Sequence, residues 1–149
     1  MAQKTRQSSK KTEEELVKGL KKWQKIEDDA MCMAKSIQSK TNNSLIKLIM
    51  EIIAHDSAMH RRVQQFIVDS IEKEAIVLQP EDLESIWDIV EGHLAIEREV
   101  IGIAENLKSK TRLFVQRYLI NYLLEDERKH DSLLDRLEEI KMKMHPYAS

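Results

Sequence analysis

Asp56-Ser57-Ala58-Met59-His60 and Asp126-Glu127-Arg128-Lys129-His130 share a pattern: an Asp, three intervening residues, then a His. An apolar pair precedes each, Ile52-Ile53 in one and Tyr122-Leu123 in the other. The copies differ at one place, where Ser57 stands against Glu127. They lie 70 residues apart, and the same offset relates Glu27 to Glu97 and Ala34 to Ala104 (97 − 27 and 130 − 60 agree). It also carries Ser39-Lys40-Thr41 onto Ser109-Lys110-Thr111 without a gap. Overall identity between the halves is low. The matched positions include a polar turn and the polar residues that interrupt apolar stripes.

Four helical patterns surround these positions. The first opens at Thr12-Glu13-Glu14-Glu15, which reads as a capping box. Leu16, Leu20, Trp23, Glu27, Ala30, Ala34 and Ile37 follow at helical spacing. The second runs from about Ser44 to Glu74, with a stripe through Ile49, Ile52, Ile53, Asp56, His60, Val63 and Ile67. Gln79-Pro80-Glu81-Asp82 then breaks and restarts the chain, because Pro and acidic residues suit a first helical turn. The third pattern carries Ile86, Val90, His93, Glu97, Val100, Ala104 and Leu107. The fourth carries Leu119, Tyr122, Leu123, Asp126, Glu127, His130, Leu133 and Leu137. This is an all-α reading: two pseudo-symmetric helical hairpins in an antiparallel four-helix bundle, with the crossover at 75–82.

Composition agrees. The chain has 149 residues, 34% of them charged, with three Gly and two Pro, a profile of long helices and few loops. One bundle is expected over 12–141, after a polar, disordered lead-in at 1–11 and before a tail at 142–149. A net charge of −2 gives no electrostatic pull toward nucleic acid. Cys32 is the only cysteine, which excludes an internal disulfide and a Cys-based zinc site. No apolar run reaches membrane-span length, and the N-terminus has no secretory apolar core, so a cytoplasmic protein is expected.

Glu27, Asp56, His60, Glu97, Asp126, Glu127 and His130 thus fall at or beside interior-facing positions. An unpaired buried carboxylate costs several kcal/mol, so such groups must pair or bind cations. Carboxylate oxygen with imidazole nitrogen suits Fe, Mn or Zn. Glu127 and His130, three residues apart, project from one helical turn.

On these residues the chain resembles the ferritin-like di-iron carboxylate superfamily, nearest its rubrerythrin-like and bacterioferritin-like bundles, across about residues 13–140. That family places a Glu on one helix, Glu-x-x-His on the next, then the same again. By resemblance, Glu27 and Glu97 are the single glutamates and Glu127-Arg128-Lys129-His130 is a full Glu-x-x-His. Ser57-Ala58-Met59-His60 is the second copy with its Glu replaced. The resemblance implies metal ligands Glu27, His60, Glu97, Glu127 and His130, with Asp126 orienting His60 and Asp56 orienting His130. His93, one turn before Glu97, is a candidate extra ligand, and its counterpart is Trp23. The implied cofactor is one or two Fe or Mn ions. The implied activity is of oxidoreductase or ferroxidase type, with O2 or peroxide as oxidant, in a homodimer or higher homo-oligomer. Without further cysteines there is no rubredoxin-like electron-transfer domain. Ser57 supports a different expectation: a non-catalytic bundle with a degenerate, mononuclear or metal-free site, acting as an interaction or oligomerisation module.

Overall fold

The computed structural model describes the backbone of residues 2–144 and the side-chain surroundings of residues 6–143. Among the described residues every element is a helix: α1 (Ala2–Lys40), α2 (Ser44–Glu72), α3 (Pro80–Glu84), α4 (Trp87–Lys110) and α5 (Phe114–Met144). They form two compact units, residues 1–77 and 78–149. In the first, α1 packs along α2; in the second, α4 packs along α5, and short α3 also touches α5. Each unit is an antiparallel helical hairpin.

The 70-residue repeat is visible in the backbone. α1 ends at Lys40 and α4 at Lys110; α2 begins at Ser44 and α5 at Phe114. Ser39 Oγ donates to the Ser36 carbonyl and Ser109 Oγ to that of Asn106, both at 2.7 Å. The two loops then differ in chemistry. Asn43 caps α2, its Oδ1 accepting from Leu45 N (3.0 Å) and Ile46 N (3.1 Å), whereas exposed Leu113 stands at the equivalent position before α5. An ion pair across each hairpin is also kept, with its sign reversed. Arg61 Nε meets Asp28 Oδ1 at 2.8 Å, and at the matching positions Arg98 Nε meets Asp131 Oδ1 at 3.3 Å.

The seam inside each hairpin is narrower than the apolar stripes suggested. Leu20, Glu27 and Ala34 are buried in α1, as are Val90, Glu97 and Ala104 in α4. Alternate members of the same stripes, Leu16, Trp23 and Ile37, or Ile86 and Leu107, are exposed. In α2 the seam lies one position away from the expected stripe, on Ser57, Gln64 and Val68; Asp56, His60 and Val63 are exposed. A helix with a single neighbour buries one flank of a broad apolar face and leaves the other unpartnered. The best-buried contacts are correspondingly few. Val17, Leu20 and Val68 form a cluster in the first hairpin, and Leu124 is the most fully buried residue described in the second.

Two expectations are corrected at the ends of elements. Residues 2–11 belong to α1 rather than to a disordered lead-in. No Gly or Pro interrupts the chain before Gly19, and Thr12 Oγ1 donates back to the Ser8 carbonyl (3.0 Å), so it sits within a helix and does not cap one. Pro80 opens only the five-residue α3, with Asp82 Oδ2 accepting from Gln79 N at 2.8 Å. Buried Leu83 fixes this turn before α4 starts at Trp87. At the other end α5 continues through Met144; Met1 and residues 145–149, the remainder of the expected lead-in and tail, lie outside the described residues. No helix among the described residues is long and apolar enough to cross a membrane.

Candidate metal centre

Each hairpin buries one glutamate at mid-seam, and the two are surrounded differently. In the second hairpin, Glu97 projects from α4 toward Glu127 and His130 on α5. Its carboxylate is only 7% exposed. Glu97 Oε1 lies 2.8 Å from His93 Nε2 and 3.7 Å from His130 Nδ1. His130 Nδ1 lies 3.3 Å from Glu127 Oε2. One donor atom from each of Glu97, Glu127 and His130 falls within 4.8 Å of the others, the geometry of a cation-binding group. Glu97 Oε2 is buried without a hydrogen-bond partner. A buried, unpaired carboxylate oxygen is costly and calls for a cation or proton.

The acid–base state of the pair reflects the same crowding. The hydrogen bond with Glu127 lowers the pKa of Glu97, opposed by burial and assisted by His93 and His130. The hydrogen bond with Glu97, then burial, raises that of Glu127, against the pull of His130. Crowding thus pushes the two acidities apart, Glu97 downward and Glu127 upward. A divalent cation between the two carboxylates would relieve the same crowding. Metal–donor bonds of about 2.0–2.2 Å set neighbouring donors roughly 3–3.5 Å apart, and the three groups, within 4.8 Å of one another, would draw closer around an ion.

In the first hairpin, Glu27 is equally buried, but its partners are of another kind. Its Oε1 lies 3.3 Å from His60 Nδ1 and accepts a long 3.5 Å hydrogen bond from Gln64 Nε2. Ser57, also buried, occupies the place of Glu127. Neither Glu27 nor Glu97 is held by Lys or Arg in these contacts.

The expected residues therefore divide between the two units. Glu97, Glu127 and His130 are brought together, with His93 against Glu97. Glu27 and His60 form a separate pair. Asp126 is engaged within its own helix, by Lys129 Nζ at 2.7 Å and His130 Nε2 at 3.6 Å, and Asp56 is exposed. Of the seven polar groups expected at or beside interior-facing positions, only Glu27 and Glu97 are buried; Asp126, Glu127 and His130 are half-buried, and Asp56 and His60 are exposed. Gln64 is the residue that sequence reasoning missed. Its place one turn after His60, on the Glu27-facing side of α2, is the signal that could have found it. Glu91, on α4 ahead of His93, accepts from Trp87 Nε1 at 2.9 Å.

No protein-family model, curated protein or solved structure matches the chain.

Proposed function

We propose that the chain is a metal-binding helical protein of the ferritin-like carboxylate type, with Fe or Mn at Glu97, Glu127 and His130. The observation that carries this reading is the buried, unpartnered Glu97 Oε2 beside a second carboxylate and an imidazole. Two carboxylates balance the charge of a divalent ion, and O/N donors suit iron or manganese. His93, 2.8 Å from Glu97 Oε1, fixes the orientation of that carboxylate and leaves Oε2 for the ion.

The wider proposal is that the hairpins close into an antiparallel four-helix bundle. Its support is the repeat together with the unpartnered apolar flanks: Trp23, Ile26 and Val63 in one hairpin, Ile89, Ile96 and Leu123 in the other. Closure covers these flanks. Association of such bundles into dimers or larger assemblies belongs to the same proposal. When bound, the metal supplies the electrons for reduction of O2 or peroxide. The protein's residues hold it and keep its carboxylates deprotonated. Aerobic addition of Fe(II) to the metal-free chain should oxidise it faster than buffer does, and Glu127→Gln should remove the excess rate. Equal rates in buffer, wild type and variant would refute the oxidase reading.

A second reading, a non-catalytic interaction module, is favoured by Ser57 and by the extent of exposed apolar surface. It predicts bound partners or self-association without metal-dependent oxidation.

A further inference from the structure

The two buried glutamates sit in environments of different charge, which bears on how many ions the chain holds. We infer that the chain binds one divalent ion, held by Glu97, Glu127 and His130 of the second hairpin, and that Glu27 and His60 are not ligands. This rests on the metal-binding reading and deepens it.

Three observations converge. In the second hairpin two carboxylates and an imidazole gather within 4.8 Å, and Glu97, more than nine-tenths buried, leaves Oε2 without a partner. A divalent ion there is neutralised by its own ligands. In the first hairpin the only buried carboxylate among the described residues is Glu27, since Ser57 stands where the second hairpin has Glu127. An ion there would retain a positive charge beside buried groups, an expensive arrangement. Finally, Glu27 Oε1 is already engaged, by His60 Nδ1 at 3.3 Å and Gln64 Nε2 at 3.5 Å. Gln64 is 3% exposed, and Leu134 occupies the corresponding position in the second hairpin. The amide is thus a substituent of the first hairpin alone; its Nε2 serves the carboxylate, while its own Oε1 is buried without a hydrogen-bond partner.

The experiment uses the full chain, loaded anaerobically with Co(II), desalted, and assayed for metal by mass spectrometry and for the ligand-field absorption of the ion. Wild type should retain one Co(II) per chain. Glu127→Gln and His130→Ala should lose it, whereas Glu27→Gln, His60→Ala and Gln64→Leu should keep both the ion and its spectrum. Circular dichroism identifies any variant that fails to fold, and the spectrum of wild type against Gln64→Leu supplies a mild second comparison. Ser57→Glu, which restores the missing carboxylate, should raise the content to two. Two ions in wild type, loss or spectral change in Glu27→Gln or His60→Ala, or one ion in Ser57→Glu would overturn the inference. Absence of Co(II) from wild type would instead remove the metal-binding reading itself.

Discussion

Position for position, the two hairpins share a backbone plan but place different chemistry around the same buried glutamate. At the level of Glu97, the second hairpin adds a carboxylate, Glu127, and a histidine, His93. At the level of Glu27, the first has Ser57 and Trp23 at those positions and adds Gln64. Helix lengths and turns tolerate such exchanges because they depend on seam spacing and loop hydrogen bonds. A cation site does not, because it depends on the sum of charges within a few ångströms.

The largest way to break the likeness is through the core. Leu124 is 2% exposed, while its counterpart Ala54 is smaller and half-buried. Leu124→Ala should destabilise the second hairpin by about 2–5 kcal/mol, the range for emptying a well-packed leucine site. Chemical denaturation followed by helix content measures this, and a loss under about 1 kcal/mol would mean that the leucine is not a true core residue. Next comes His93, whose counterpart is Trp23. His93→Ala should weaken Mn(II) binding by about 10–100-fold through loss of an orienting hydrogen bond, and isothermal titration measures it. An unchanged affinity would separate His93 from the site.

Smaller effects sharpen the comparison at the loops and the surface. Asn43→Ala should cost about 1 kcal/mol by removing two bonds to the start of α2, and Leu113→Asn should gain a similar amount if the loops are equivalent. Opposite-signed shifts in thermal midpoint are the expected result, and a destabilised Leu113→Asn would show that the second loop cannot host the cap. Least of all, exchanging the charges of Asp28 and Arg61 copies the Arg98–Asp131 arrangement. The double swap should leave stability within about 0.5 kcal/mol, while either single swap should cost up to about 1 kcal/mol, measured by the same denaturation.

Much of the scaffold was legible in the sequence because it rests on local rules. Scarce Gly and Pro mark long helices, and Ser39-Lys40-Thr41 recurring as Ser109-Lys110-Thr111 marks the repeat. The seam was less legible. A stripe such as Leu16, Leu20, Trp23 and Glu27 contains two adjacent flanks, and spacing does not say which one meets the hairpin partner. For that reason Glu27 and Glu97 were found as buried, whereas His60 and Asp56 were placed further inside than they are. Residues 2–11 were misread because polarity was weighed above the lack of any helix breaker. Of the site, spacing placed Glu127 and His130 on one helical turn, and the resemblance implied them as ligands together with Glu97, Glu27 and His60. Gln64 was overlooked, because its one signal, a place one turn after His60, gains meaning only once Glu27 is known to face that side of α2.

The central claim is that Glu97, Glu127 and His130 of the second hairpin hold a metal ion. It is tested most directly by metal analysis of the full chain, purified without chelator, reconstituted anaerobically with Fe(II) or Mn(II) and desalted. The account predicts one ion per chain in wild type and none in Glu127→Gln of equal helix content. Wild type that retains no ion, or a Glu127→Gln chain that retains as much as wild type, would contradict it.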